Sequence, residues 1–214
     1  MKSKIQSRKN GNKKTVIKKL FLTAAVAVSS VTFAQQFGAK AGMNVSTISD
    51  EGFDDTKSKV GYYAGVFMNV PVSESFSIQP EVLYNNLGSK VSSTVSGTTY
   101  SSTLNLDYVA VPVMFQYKAT PQFYLEAGPE FGFLVNAKQK FDNGSSSIVT
   151  ELDKEDFNSF NMGVGLGLGF DISKNVGLNA RYVAGFSDIT KESGPAADAK
   201  NKNNAFQVGL NIKF

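Results

Sequence analysis

From Phe160 to Phe170 the chain reads FNMGVGLGLGF, with glycine at 163, 165, 167 and 169 and a large apolar residue at every other place. A strict period of two sorts residues onto opposite faces only in an extended strand. A dinucleotide-binding fingerprint would space its glycines G-x-G-x-x-G between a strand and a helix, so that reading fails. Bare glycine on one face and Met162, Val164, Leu166, Leu168 and Phe170 on the other would waste the polar side of a soluble sheet.

Seven further segments alternate in the same way, and no convincing helical period occurs after residue 35. The strands expected are 36–46, 60–70, 76–87, 103–117, 122–137, 159–171, 176–188 and 204–214. Their connections alternate in length. Three are tight, at 71–75, 118–121 and 173–175. Four are long and polar, at 47–59, 88–102, 138–158 and 189–203. Short turns at one end and long loops at the other describe an up-and-down antiparallel barrel of the outer-membrane kind. The fold class expected is all-β, an eight-stranded antiparallel transmembrane barrel.

Alternation alone does not say which face is inside. On strand 122–137 the series Phe123, Leu125, Ala127, Pro129, Phe131, Phe133, Val135 opposes Tyr124, Glu126, Gly128, Glu130, Gly132, Leu134, Asn136. On 176–188, Val176, Leu178, Ala180, Tyr182, Ala184 and Phe186 oppose Gly177, Asn179, Arg181, Val183, Gly185 and Ser187. On 204–214, Phe206, Val208, Leu210, Ile212 and Phe214 oppose Gln207, Gly209, Asn211 and Lys213. Strands 60–70 and 103–117 sort less cleanly. Charge is nearly absent from the apolar faces, which therefore suit lipid better than water. Aromatic residues also band both ends of these faces. Phe37, Phe76, Tyr117, Phe123, Phe170 and Phe214 lie at the short-turn end, and Tyr62, Tyr84, Phe133, Phe160, Phe186 and Phe206 at the long-loop end. Aromatic rings favour membrane interfaces. Ten residues separate Phe123 from Phe133; at roughly 3.3 Å per residue and about 40° of tilt they rise about 25 Å, the height of the apolar band.

The N-terminus agrees with export. Residues 1–19 carry eight basic side chains and no acid, and an apolar run of small residues follows from Leu20 to Ala34. Fifteen residues are short of the about 20 a membrane-spanning helix needs. With Thr32 and Ala34 before Gln35, residues 1–34 read as a secretory signal peptide and 35–214 as one barrel domain. The chain's net charge of +4 belongs to that leader: the remainder has 14 basic against 18 acidic residues. The basic balance is therefore no footprint for nucleic acid. The chain has neither cysteine nor histidine, which excludes disulfide staples, His-ligated zinc and Ser–His–Asp catalysis.

The segments IQPEVLY at 78–84, YVAVP at 108–112 and YLEAGPEFGFLVNAK at 124–138 resemble the outer-membrane β-barrel domain, or porin-family, proteins common in Bacteroidota. The closing FQVGLNIKF, ending in Phe214, is similar to the C-terminal signal read by the outer-membrane insertion machinery. The resemblance covers nearly all of 36–214 and implies a small eight-stranded barrel without general catalytic residues. Enzymes of similar architecture, the small outer-membrane proteases and acyl-modifying barrels, rely on histidine. It implies a non-enzymatic envelope barrel acting through its long loops, or passive transport of ions or small solutes, or an accessory role in secretion. The partners expected are outer-membrane lipids and the insertion machinery, with no nucleic acid and no cofactor or metal; the barrel is expected as a monomer.

Charges at mid-strand are the candidate site. Lys40, Glu81, Glu126, Glu130, Arg181 and Lys213 all fall on the expected lumen face, three of each sign. Intramembrane charges pair with one another or mark a pathway, and equal numbers favour pairing, with Glu126 or Glu130 as partner of Arg181. The acidic run ELDKED at 151–156 lacks EF-hand ligand spacing and reads as a solvated loop rather than a cation site. The Ser/Thr-rich VSSTVSGTTYSST at 91–103 reads as an extended hairpin tip.

Overall fold

A computed structural model describes residues 35–49, 57–95, 98–189 and 201–214. The expected signal peptide, residues 1–34, lies outside them, as do 50–56, 96–97 and 190–200 within three expected loops. Nine strands are described: β1 (Gln36–Ser49), β2 (Lys57–Pro71), β3 (Phe76–Val95), β4 (Thr98–Lys118), β5 (Phe123–Asp142), β6 (Ser147–Glu151), β7 (Phe160–Asp171), β8 (Val176–Asp188) and β9 (Lys202–Lys213). One 3-10 turn, Lys154–Asp156, precedes β7.

Every strand of the ring pairs antiparallel with its chain neighbours, in the order β1-β2-β3-β4-β5-β7-β8-β9. The ring closes where β1 meets β9, from Gly38 opposite Lys213 to Ser49 opposite Lys202. Closure leaves no unpaired edge, which is the condition for strands to cross lipid. The fold is the expected all-β eight-stranded barrel, with β6 as a ninth strand outside the ring.

At the short-turn end each connection is held by one hydroxyl. Ser73, Thr120 and Ser173 each accept a hydrogen bond from the backbone N–H three residues on, of Phe76 (3.1 Å), Phe123 (2.9 Å) and Val176 (3.1 Å). Ser and Thr favour turns by this local bond.

At the other end two expected loops are mostly strand. The expected loop 88–102 is a hairpin in which β3 and β4 pair up to Val95 and Thr98, with Thr94 and Thr99 hydroxyls 3.1 Å apart. The expected loop 138–158 begins as β5, which runs on to Asp142 and turns back as β6. Polar composition suggested loops, but Thr, Val and Tyr are strand formers wherever cross-strand partners exist. The barrel therefore carries a four-stranded extension, β3 to β6, beyond its aromatic band.

Burial follows the expected faces on β7, β8 and β9. Leu166 is 59% exposed, whereas Arg181, Gln207 and Asn211 are buried. Eleven of the twelve expected girdle rings are among the exposed large apolar residues, and Phe123 is half-buried. Neighbouring rings meet along the bands, with Phe76–Tyr117 centroids 5.1 Å apart and Phe133–Phe160 5.5 Å apart. The two less regular strands contain or adjoin bulges. On β2 the register shifts between Ser58 and Tyr63, below which Tyr63 and Phe67 are buried in the lumen. Between β4 and β5, Asp107 faces Asn136 but Tyr108 faces Leu134, so Val135 is an extra residue. Asn136 thus leaves the lumen face expected of it, and Ala137 is buried instead.

The face assignment makes a direct prediction. Leu166→Asp, mid-strand toward lipid, is expected to cost somewhat less than the ~2–4 kcal/mol of an Arg or Lys at the bilayer midplane. Ser145→Asp, in the exposed β5–β6 turn, is expected to be neutral. Folding into lipid vesicles, read as the shift in gel mobility between unboiled and boiled samples, checks both, and equal losses would count against the face assignment.

Candidate functional site in the barrel lumen

β8 contributes Arg181 from the middle of the wall, and its guanidinium crosses to two other strands. It donates to both oxygens of Glu81 on β3, at 2.8 and 2.9 Å, and through Nε to Glu126 on β5 at 2.8 Å. Lys40 on β1 donates to Glu81 at 2.9 Å. All four side chains are at most 3% exposed. A two-oxygen contact to a planar guanidinium is the strongest common form of such a pair. Two cations and two carboxylates balance within this layer, which is what a buried ionic cluster needs to be tolerated.

Amides complete the carboxylates. Gln79 donates to Glu81 at 2.8 Å, and Gln116 donates to Glu126 at 3.0 Å. Asn69 ties these together, donating to Gln116 at 2.8 Å and Gln79 at 3.2 Å. A second chain runs beside it: Tyr63 donates to Asn179 (2.9 Å), Asn179 to Asn211 (2.9 Å), and Asn211 to the Tyr124 hydroxyl (3.0 Å). Sequence reasoning placed Tyr124, Asn179 and Asn211 on the lumen face but missed Asn69, Gln79, Gln116 and Tyr63. The signal for the amides is the inward parity of Asn and Gln on the same strands.

The glycine stripe of β7 explains why the network fits. A Cβ at Gly167 would sit 2.9 Å from a Glu126 oxygen, and one at Gly169 only 2.1 Å from the Tyr124 ring. At Gly165 it would meet Arg181 Cδ at 3.3 Å. β7 supplies no polar group here; it supplies the space that three neighbours occupy.

The six expected lumen charges do not form one set. Lys40, Glu81, Glu126 and Arg181 come together. Lys213 lies apart, near the short-turn end, and pairs at 2.6 Å with Asp171, a residue not anticipated. Glu130 is buried but makes none of the Arg181 hydrogen bonds, so of the two expected partners only Glu126 meets Arg181, and Glu130 Oε2 has no hydrogen-bond partner among the described residues. A further polar row links β2 to β5: Lys59 donates to Asn86, Asn86 to Asp107 at 2.5 Å, and Asn136 to Asp107 at 3.0 Å.

Toward the long-loop end the lumen is filled a second time. Leu87, Leu106, Tyr108, Ala137, Phe157, Ile189 and Ala205 form one buried cluster. Phe157 enters it from the segment after β6, held by the bonds Leu152 N–H to Ala137 C=O (3.0 Å) and Asn158 N–H to Ile189 C=O (2.8 Å). The acidic run around it is largely exposed, and among the described residues no group of three or more Asp or Glu gathers into a metal-binding cluster.

The family model for the outer membrane protein beta-barrel domain matches residues 33–191, well over half the chain. The chain belongs to that family. This outer-membrane barrel shares its fold with Ail, the attachment invasion locus protein of Yersinia pestis, at 14% identity and a TM-score of 0.50, over 85% of this chain and 100% of Ail. Neisserial surface protein A is similar at 12% identity and a TM-score of 0.48, over 85% and 99% of the two chains. No protein of curated function matches the barrel in sequence. Family and fold together put the protein in the outer membrane.

Proposed function

We propose that this barrel is a non-enzymatic envelope protein, of the type common in Bacteroidota, that works through surface contact rather than transport. The observation that carries this reading is the division of labour along its length. Within the band the lumen is occupied by side chains, as expected of eight strands, whose interior is just wide enough to be filled. Beyond the band, β3 to β6 continue as a sheet with exposed Val91, Tyr100, Phe141 and Ile148 around a groove of about 300 Å³. β6 pairs on one side only. The barrel is read as a monomer in lipid, delivered through its terminal Phe214 and matured by cleavage before Gln35.

Three measurements test this. Reconstituted in planar bilayers, the protein is expected to give rare, small openings; a steady large current would favour passive transport. A variant with 89–104 replaced by a two-residue turn is expected to fold and reach the surface yet lose cell attachment or aggregation. Unchanged attachment with impaired solute uptake would refute the contact reading. Mass spectrometry of membrane-extracted protein is expected to find Gln35 first, and an intact Met1 would refute cleavage.

A further inference from the structure

Between the ionic layer and the apolar cluster lies a small cavity of about 20 Å³ whose walls include Asn85, Tyr108, Glu130 and Asn161. These residues come from four strands, β3, β4, β5 and β7. Each of these wall residues carries a buried polar atom that finds no hydrogen-bond partner among the described residues: Asn85 Nδ2, the Tyr108 hydroxyl, Glu130 Oε2 and Asn161 Nδ2. Asn85, Tyr108 and Glu130 are all more than nine-tenths buried. Leu87, Ala110, Gly132, Gly163 and Val183 line the remaining wall.

Four orphaned groups around one cavity are not a packing accident of one side chain. A buried polar atom without a partner is costly, and native interiors avoid it by binding water. Volume and chemistry both indicate the ligand. A cavity needs about 10–15 Å³ for one water, and buried waters typically make two to four hydrogen bonds. The amide orientation is set by the network, because Asn85 Oδ1 accepts from Asn44 Nδ2 at 2.8 Å and leaves Nδ2 as donor. The site thus presents two amide donors and two oxygens, which match the two lone pairs and two hydrogens of a water. A bare metal ion would instead face two N–H groups.

We propose that an enclosed water, held by Asn85, Tyr108, Glu130 and Asn161, is an integral part of this lumen. It provides Glu130, the one carboxylate here outside the ion-pair layer, with the hydrogen bond that Arg181 does not supply. The site belongs to a wider polar belt, since Asn44 Oδ1 and its register neighbour Gln207 Nε2 also lack partners among the described residues.

The test uses the full mature barrel in detergent micelles or nanodiscs. Water–protein rotating-frame NMR is expected to show a long-lived water contacting the side-chain amide protons of Asn85 and Asn161. Tyr108→Phe, which keeps the ring and removes one partner, is expected to weaken both signals several-fold. Glu130→Met is expected to abolish them while the Arg181–Glu81 contact persists. Absence of the signals in wild-type protein would overturn the proposal whether or not the variants fold. So would full signals in Tyr108→Phe, or a crystal structure with a metal ion at the site or direct Glu130–Asn161 bonding.

Discussion

Arg181→Ala is expected to lower barrel stability by about 3–5 kcal/mol, the usual cost of removing one partner from a buried ionic set. The variant leaves Glu81 and Glu126 facing one cation, Lys40, which contacts only Glu81. Glu126 would keep just the Gln116 amide. The sharper form of the prediction is a double variant. Arg181→Ala with Glu126→Gln leaves Lys40 and Glu81 as a matched pair, and the new amide can still bond Gln116. The double variant is therefore expected to be more stable than Arg181→Ala alone, the opposite of additive behaviour. Urea titration of the barrel in lipid vesicles reads both. A loss below about 1 kcal/mol for Arg181→Ala, or a double variant weaker than the single, would mean that the layer is not a coupled unit. Because the guanidinium spans the lumen, more frequent channel openings are expected in Arg181→Ala as well.

Gly169→Ala should be the most damaging single methyl group that can be added to β7. Its Cβ would lie 2.1 Å from Tyr124 Cζ and 2.3 Å from the hydroxyl. The ring is buried and its hydroxyl accepts from Asn211 at 3.0 Å, so it cannot swing aside without breaking that bond. Overpacking of about 1–3 kcal/mol and an orphaned buried donor worth about 1–3 kcal/mol more would add. Gly165→Ala, on the same face of the same strand, is the control. There the nearest atoms are the Met114 methyl at 3.2 Å, the end of an adjustable side chain, and Arg181 Cδ at 3.3 Å, a mild contact that leaves the guanidinium bonds in place. The expected cost is a fraction of that at Gly169. Equal unfolding midpoints for the two variants would show that the stripe serves backbone flexibility and not lumen space.

The alternation was legible wherever one face met lipid and the other met a glycine-lined lumen, as on β7 and β9. It blurred on β2, where Tyr63 and Phe67 turn large rings inward, because hydropathy does not distinguish a lipid-facing ring from one filling a lumen. It failed at Asn136, since a one-residue bulge at Val135 reverses parity without any change in composition. The polar runs 88–102 and 138–158 misled for a related reason. Above the membrane both faces of a sheet can be polar, and the signal that separates strand from loop vanishes.

What the amino-acid order determined alone was the class of solution: eight lipid-spanning strands, aromatic bands, short turns at one end, and charges that must lie inside. Those follow from local geometry and from the cost of unpaired backbone and charge in hydrocarbon. Which charge meets which was decided only by strand stagger and by closure. Arg181 and Glu81 are 100 residues apart, and their contact depends on the stagger with which β9 returns to β1 and on the space that β7 leaves empty. The stagger of β7, β8 and β9 on their neighbours likewise paired Lys213 with Asp171 and left Glu130 without an Arg181 hydrogen bond, because small shifts of register bring different partners together inside the barrel.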